Sequence, residues 1–242
     1  MNVPVVSNDE IGLLTSEFNS MIQGLRELEF IRDTFGKYIS KNIAELIIEK
    51  KINLDGELRL VTILSTDIEG YTSISEKLSP KESLSMLSAY FTDLITVINN
   101  YGGIVNKFIG DAVFALFNVP FEDPTHAQNA VISALEIQKI TTEKEYLKGM
   151  KLKTRIGINT GIVVAGNIGS LDRYDYTVIG DEVNIATRLE ELNKKFDSQV
   201  LIGHNTYELV KNKFECESMG THYLKGKSCP IEVYRVSQNR QS

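Results

Sequence analysis

The sequence predicts an α+β fold in which an antiparallel sheet packs against helices, with further strands towards the C-terminus and a coiled-coil helix at the N-terminus. Residues 11–28 carry a heptad pattern. Residues 58–158 alternate strand-like and helix-like segments in the order β-α-β-β-α-β. The chain has 242 residues, of which 42% are hydrophobic. This length and composition suit one sizeable globular domain with an accessory element.

The N-terminal segment places apolar residues at alternating spacings of three and four, which is the seam pattern of a coiled coil. These residues are Ile11, Leu14, Phe18, Met21, Leu25 and Leu28. Over so few heptads, a surface helix packed on its own domain would show the same pattern, and that alternative stays open. We assign residues 1–30 to a coiled-coil helix, residues 31–57 to a linker helix and residues 58–242 to a globular domain.

The globular part opens with the apolar run Leu60–Leu64, which predicts a buried strand that ends at Asp67. The Ser-Pro-Lys-Glu run at residues 79–82 combines a capping box with proline at the first helical position. A helix is therefore predicted from there to about Asn100. The residues expected to line its buried face are Leu84, Leu87, Phe91, Leu94, Ile95 and Ile98.

Two strands follow at residues 104–108 and 112–117, joined as a hairpin with Asp111 at its turn. A second helix is predicted from Asp123 to about Tyr146, and a strand at residues 153–158. This order is a split βαβ arrangement, which predicts a ferredoxin-like antiparallel sheet with both helices on one face. The elements that extend it are a helix at residues 181–195 and strands at residues 200–202, near Tyr223 and near Val233.

Charge and cysteine content exclude several functions. The formal net charge is −6, so the chain lacks the basic surface that nucleic-acid binding needs. Its two cysteines form no metal-binding or redox pattern, which favours a reducing, cytoplasmic setting. No apolar run approaches the roughly 18 residues that span a bilayer, and the first residues lack the apolar core of a signal peptide.

Two aspartates are predicted to meet at one edge of the sheet. Asp67 ends the first strand, and Asp111 lies at the turn of the hairpin that neighbours this strand in such a fold. Paired carboxylates are costly without a cation between them, and Mg²⁺ prefers hard oxygen ligands together with nucleotide phosphates. The pair predicts two-metal phosphoryl transfer. Considered in isolation, each aspartate would be better explained as a strand end or a turn residue.

Two further groups have a chemistry that suits a nucleotide. The free amides around Ile68, Gly70, Tyr71 and Thr72 lie at a strand-to-helix transition, where phosphate oxygens are readily bound. Asn184 and Arg188 are four residues apart, so they face the same side of a predicted helix. Together they could orient a ribose and stabilise a charged phosphorus centre, although a solvated helix face explains the same spacing.

Five ordered blocks resemble the class III nucleotidyl cyclases, and together they cover about residues 58–236. The blocks are Val61–Thr72, Asn106–Asp111, Arg155–Gly161, Tyr176–Glu190 and Leu224–Lys227. Any one block could arise by chance, but their joint order identifies the chain as a member of this family.

The resemblance implies a role for each matching residue. Asp67, Asp111 and the backbone carbonyl of Ile68 would hold two Mg²⁺ or Mn²⁺ ions. Asn184 would position the ribose, and Arg188 would stabilise charge on the α-phosphate in the transition state. One lysine of the pair Lys225 and Lys227 would contact the β- and γ-phosphates. In this family the 3′-hydroxyl attacks the α-phosphorus in line and expels pyrophosphate.

Lys107 and Thr177 occupy the places where family members distinguish adenine from guanine. Cyclases that use ATP carry lysine at the first place and aspartate, threonine or serine at the second, whereas guanylyl cyclases carry glutamate and cysteine. A lysine donor and a hydroxyl acceptor match N1 and the 6-amino group of adenine. Guanine presents N1–H, so Lys107 would meet a second donor. The resemblance therefore implies that ATP is the substrate and cyclic AMP the product.

Each site in this family lies across a dimer interface, so a homodimer of this chain would own two complete sites. One chain would supply the metal aspartates, and the other Lys107, Thr177, Asn184 and Arg188. The segment Asn8–Met21, which contains the string Asp9–Gly12, resembles the second helix of a HAMP signalling module, whose partner helix and membrane span are absent from this sequence. We therefore expect a cytoplasmic output domain that reaches the membrane only through the N-terminal region of a longer receptor.

Two alternative functions stay open. A guanylyl cyclase is the nearest, although Lys107 and Thr177 favour ATP. A degenerate signalling dimer would bind nucleotide without turnover, although every expected catalytic side chain is present. A diguanylate cyclase would share the sheet and the paired carboxylates, but the sequence contains no Gly-Gly-Asp-Glu-Phe-like turn.

Overall fold

The computed structural model describes residues 3–4, 6–38, 56–170, 173–224 and 229–239. The chain divides into two compact units, residues 1–51 and 52–242. Most of the predicted linker, from residue 39 to residue 55, lies outside the described residues. Lys225 and Lys227, the two candidate phosphate-binding lysines, lie outside them as well.

The first unit contains the helix α1 (Glu10–Tyr38). Asp9 caps its start, because the Asp9 carboxylate accepts hydrogen bonds from the amides of Ile11 and Gly12 at 3.0 and 3.2 Å. The six predicted seam residues are all exposed, by 46–67% of their surface. An exposed apolar stripe on a helix is the feature that a coiled coil buries, and the coiled coil stays a prediction. No helix among the described residues is long and apolar enough to cross a membrane.

The second unit is built on one sheet. Its strands are β1 (Glu57–Ile68), β2 (Ile104–Ile109), β3 (Ala112–Phe117), β4 (Thr154–Ser170), β5 (Arg173–Ile179), β6 (Val200–Gly203), β7 (Phe214–His222) and β8 (Ile231–Asn239). The strand order is β2-β3-β1-β4-β6-β8-β7, and β5 pairs with β4 outside this path. Every strand pair is antiparallel except β4 with β6.

The helices of this unit are α2 (Tyr71–Ser75), α3 (Pro80–Asn100), α4 (His126–Glu143), α5 (Asp181–Phe196) and α6 (His204–Val210), with a 3₁₀ turn at Leu147–Gly149. The core order β1-α3-β2-β3-α4-β4, with β2-β3-β1-β4 as neighbours in the sheet, confirms the predicted ferredoxin-like arrangement. Helices α3 and α4 cover the sheet in a single hydrophobic core.

Helix α3 begins as predicted, but its buried face differs from the prediction. The capping box forms in full: the Ser79 side chain accepts from the Glu82 amide, and the Glu82 carboxylate accepts from the Ser79 amide. The buried residues are Met86, Tyr90, Leu94, Val97 and Ile98, whereas Leu84 is 67% exposed and Ile95 only half-buried. Tyr90 is buried because its hydroxyl bonds the Thr154 side chain at 3.0 Å, which satisfies the polar end of the ring.

Two element boundaries also differ from the predictions. Helix α4 starts at His126 rather than Asp123, because Asp123 lies before the helix and accepts hydrogen bonds from Thr125 and Asn129. Strand β4 continues to Ser170, far beyond the predicted end at residue 158. Glycines within its second half weaken the strand pattern in the sequence, since glycine is depleted in strands.

Gly157, in the middle of β4, allows α5 to lie directly against the sheet. A Cβ atom built at this position would overlap the backbone of Ala186 and Glu190. The contact is with backbone, which cannot turn aside as a flexible side chain can. Strand β4 and helix α5 are therefore held together at a point that accepts only glycine.

We expect Gly157→Ala to lower the free energy of unfolding by about 1–3 kcal/mol, because the added methyl group must push α5 away from the sheet. Denaturant unfolding would measure this loss. Ser88→Ala, at an exposed position of α3, is the matched control and should change stability by less than about 0.5 kcal/mol. Equal stability of Gly157→Ala and the control would contradict the close packing.

Candidate active site

The structure brings Asp67 and Asp111 together at one end of the sheet. Asp67 is the second-last residue of β1, and β1 pairs antiparallel with β3, up to Ser65 opposite Phe114. Asp111 lies in the two-residue turn between β2 and β3, where Gly110 has a φ of 64°. A glycine with positive φ is what such a tight hairpin turn requires.

Asp111 is held in place through the backbone of β1. Its Oδ2 accepts a hydrogen bond from the Ile68 amide at 3.0 Å. Burial raises the pKa of Asp111, and the neighbouring charge of Asp67 raises it further. Two carboxylates are thus kept close together at a cost in free energy, which is the electrostatic situation that a bound cation relieves.

The carboxylate pair fits a magnesium or manganese site completed by a nucleotide. Among the described residues, no group of three or more His, Cys, Asp or Glu side chains is arranged to hold a metal. Mg²⁺ is commonly bound through only one or two carboxylates, with substrate phosphates and water as its other ligands. The two aspartates, with the carbonyl of Ile68 beside them, supply hard oxygen donors of this kind.

Arg155 and Glu190 belong to the same cluster, and sequence reasoning did not single them out. Arg155 lies opposite Asp67 in the β1–β4 register, and its Nη2 is 2.5 Å from the Asp67 carboxylate. Its Nε donates to Glu190 at 3.1 Å. Arg155 is only 9% exposed and Glu190 only 5%. Strand pairing could have placed Arg155 beside Asp67, but the sequence gives no sign of its partner on α5.

The pKa of Glu190 is raised to about 7. Burial is the main cause, the charge of Asp67 adds to it, and the Arg155 guanidinium opposes both. Because this carboxyl group titrates at a higher pH when folded, it contributes stability below its unfolded pKa of about 4.5 and loses it as pH rises to about 7.

In the predicted phosphate-binding turn, the side chains of Ile68 and Tyr71 pack inward, whereas Gly70 and Thr72 are exposed. Ile68 is 1% exposed and Tyr71 packs against the hydrophobic core. The Ile68 amide already donates to Asp111, so this residue has only its carbonyl to offer. Gly70 adopts a left-handed conformation with φ 69° at the start of α2, and Thr72 is exposed. The turn is open to solvent beside the carboxylate pair.

Asn184 and Arg188 lie on α5, with Asn184 exposed and Arg188 half-buried. The Nη1 atom of Arg188 is buried and has no hydrogen-bond partner among the described residues. A buried guanidinium nitrogen without a partner is costly in free energy. Within the described part of the chain, no hydrogen bond joins Asn184 or Arg188 to Asp67 or Asp111.

Lys107 and Thr177, the predicted base-recognition residues, are brought into one region by contacts between β2 and β5. The side chain of Asn106, next to Lys107, donates to the Tyr176 carbonyl at 2.6 Å. The Thr177 hydroxyl donates to the Asn106 side-chain oxygen at 3.1 Å. Lys107 itself is exposed. Sequence reasoning missed Asn106, whose two partners are 70 and 71 residues away.

Comparison with known proteins identifies the family of the chain. The family model for the adenylate and guanylate cyclase catalytic domain matches residues 56–238. Adenylate cyclase 1 of Rhizobium meliloti is 34% identical over 228 residues, which are 91% of this chain and 34% of that protein. The chain spans 34–42% of the length of the curated relatives it matches.

Solved structures of both adenylyl and guanylyl cyclase domains are similar to the chain. The adenylyl cyclase CyaB from P. aeruginosa is 32% identical with a TM-score of 0.68, covering 78% of this chain and 98% of that one. The guanylate cyclase domain of RhGC from Catenaria anguillulae, in complex with GTP, is 28% identical with a TM-score of 0.69, covering 76% of this chain and all of that one. The similarity thus extends to proteins of both nucleotide preferences.

We expect Asp111→Asn to remove metal-dependent stabilisation without harming the metal-free fold. Asparagine keeps an acceptor for the Ile68 amide but ends the repulsion with Asp67, so in EDTA the variant should melt at the same or a higher temperature than the parent. A hundredfold excess of Mn²⁺ over its Kd should raise the parent Tm by about 5–10 °C and leave the variant unchanged.

Thermal melts with and without Mn²⁺ test this expectation. Asp175→Asn is the matched control, since Asp175 is an exposed carboxylate on β5 and its loss should leave the Mn²⁺ response intact. An undiminished Mn²⁺ response in Asp111→Asn would show that Asp111 is not a metal ligand.

Proposed function

This chain belongs to the family of adenylate and guanylate cyclase catalytic domains, and from that premise we propose that it is an adenylyl cyclase that converts ATP into 3′,5′-cyclic AMP and pyrophosphate. The observation that supports ATP over GTP is the pair formed by Lys107 and Thr177. Lys107 is an exposed donor for N1 of adenine, and the Thr177 oxygen is an acceptor for the 6-amino group.

The proposed reaction forms a bond between the ribose 3′-oxygen and the α-phosphorus and breaks the bond from that phosphorus to the β-phosphate oxygen. The 3′-hydroxyl loses its proton and pyrophosphate leaves. Asp67, Asp111 and the Ile68 carbonyl would hold two Mg²⁺ or Mn²⁺ ions, which supply the positive charge that activates the hydroxyl and neutralises the phosphates.

The remaining site residues would position the nucleotide or stabilise its charge. Asn184 orients the ribose so that its 3′-oxygen faces the α-phosphorus. Arg188, half-buried on α5, supplies a guanidinium that would stabilise the charge developing on the α-phosphate. Lys225 or Lys227 contacts the β- and γ-phosphates. The open turn at Gly70 leaves room for the phosphate chain beside the carboxylates.

We propose that the active form is a homodimer in which each site takes its aspartates from one chain and its base, ribose and α-phosphate contacts from the other. An exposed apolar surface on neighbouring strands supports this. Its residues are Leu58 and Leu60 on β1, Ile162 and Val164 on β4, and Ile179 on β5, each 40–74% exposed. They are adjacent through the strand register. A contiguous apolar patch of this kind typically marks an interface.

The N-terminal helix supports a role in signalling. Its exposed apolar seam could pack against the same seam of a second copy in a coiled coil. The chain also spans less than half the length of its curated relatives. We propose that α1 is part of a stalk that sets how two catalytic domains meet, in the cytoplasmic output region of a longer receptor. A guanylyl cyclase is the second candidate, supported by the similarity to a guanylate cyclase domain bound to GTP.

We expect turnover of ATP to cyclic AMP with Mn²⁺, rising faster than linearly with protein concentration because the site needs two chains. Product formation from ATP and from GTP, measured at several protein concentrations, tests both points. Asp67→Ala should lower turnover by at least about a hundredfold, since it removes a metal ligand. Cyclic GMP as the main product would overturn the ATP assignment, and no product from a demonstrated dimer would favour a degenerate signalling protein.

We also expect two inactive variants to restore activity when mixed. Asp67→Ala and Arg188→Ala damage opposite halves of the shared site, so a mixed dimer keeps one intact site. After subunit exchange, random pairing gives about a quarter of the parent activity. The control is a mixture of Asp67→Ala and Asp111→Ala, which should stay inactive, because each site of the mixed dimer then lacks one of its two aspartates. Failure of the first mixture to recover, with exchange demonstrated, would mean that each chain builds its own site.

A further inference from the structure

The side chain of Asn106 forms a bridge that the proposed reaction does not account for. Its Nδ2 donates to the Tyr176 carbonyl at 2.6 Å, and its Oδ1 accepts from the Thr177 hydroxyl at 3.1 Å. Both bonds are partly buried and link β2 to β5. Asn106 therefore touches the residue that is proposed to read the 6-position of the base.

A β-bulge places Asn106 in this position. The β2–β3 register runs from Val105 opposite Ala115 directly to Lys107 opposite Phe114, so Asn106 is the extra residue. Adjacent residues of a regular strand point to opposite faces, and a bulge interrupts that alternation and redirects a side chain. The irregularity lets Asn106 reach β5 while Lys107 resumes the pairing with β3.

The orientation of the Asn106 amide follows from its partners. A backbone carbonyl can only accept, so the NH₂ group must face Tyr176 and the amide oxygen must face Thr177. That oxygen can only accept in turn, so the Thr177 hydroxyl must donate to it. The single hydrogen of the hydroxyl is thereby engaged, and only its lone pairs are left for a ligand.

We propose that Asn106 is a positioning residue that sets the base selectivity of the site. A free threonine hydroxyl is not selective, because it can accept from the 6-amino group of adenine or donate to the 6-oxygen of guanine. Because the Thr177 hydroxyl donates its hydrogen bond to Asn106, Thr177 can only accept from the base, which suits the 6-amino group of adenine and leaves the 6-oxygen of guanine without a donor from Thr177. This inference rests on the proposed function, in which Lys107 and Thr177 read the base.

The test is a double-mutant cycle read out as the ratio of kcat/KM for ATP to kcat/KM for GTP. Asn106→Ala frees the hydroxyl hydrogen and should lower this ratio by about tenfold, the effect of one unpaired polar group. Thr177→Val removes the hydroxyl while keeping the branched shape. When Asn106→Ala is added to Thr177→Val, the ratio should stay within about twofold of that of Thr177→Val alone. The reason is that position 177 then has no hydroxyl hydrogen for Asn106 to orient.

Asn106→Asp is the companion variant, because a carboxylate still accepts from Thr177 but cannot donate to the Tyr176 carbonyl. The ratio in this variant should stay near that of the parent, whatever its overall turnover. A residue that merely supports the fold would lower turnover of both nucleotides equally in all backgrounds. Circular dichroism and thermal melts identify any variant that fails to fold, and the cycle can then rest on Asn106→Leu, which keeps most of the side-chain volume but has no acceptor.

The possible failures are distinguishable. A parent protein that prefers GTP would overturn the proposed function, and the inference with it. A parent that prefers ATP, combined with an Asn106→Ala ratio equal to the parent ratio, would overturn only the role of Asn106. The same tenfold fall in the Thr177→Val background would overturn it too, because the effect would not pass through the hydroxyl.

Discussion

The position of β1 between β3 and β4 determines the chemistry at one end of the sheet. Pairing with β3 brings the hairpin turn and Asp111 to one side of Asp67, and pairing with β4 brings Arg155 to the other. Two carboxylates and a guanidinium are thus gathered at the last residues of one strand. Like charges so close together oppose folding, and the antiparallel ladder that holds them is continuous from Glu57 to Ile68. The hydrogen bonds of this ladder therefore offset the repulsion between the two carboxylates.

The second region of the site depends on a departure from regular sheet structure. Strand β5 pairs with β4 outside the main strand order, and yet its residues reach β2 through the Asn106 side chain. The bulge in β2 makes this contact possible. Regular strand pairing therefore brings the two carboxylates together. The region that would bind the base depends instead on the bulged residue Asn106 and on β5, which lies outside the main strand order.

Features with local signals could be predicted from the sequence. The capping box of α3, the Gly110-Asp111 turn and the convergence of Asp67 with Asp111 all follow from short stretches and the strand order. Features that depend on distant partners could not. Glu190 is buried against Arg155 across 35 residues, Tyr90 is buried because Thr154 satisfies its hydroxyl, and the Asn106 bulge is invisible in the apolar pattern of β2. The roles of the metal ligands and of Lys225 and Lys227 stay predictions.

Helix α5 would link the two active sites of the proposed dimer. Its inner face contacts the carboxylate end of its own chain through the ion pair between Glu190 and Arg155, and its backbone lies directly against Gly157. In the proposed dimer, Asn184 and Arg188 on the same helix serve the nucleotide held by the other chain's aspartates. A displacement of this helix as one nucleotide binds would therefore change the geometry of both sites. The two sites would then turn over cooperatively, with each occupancy changing the readiness of the other.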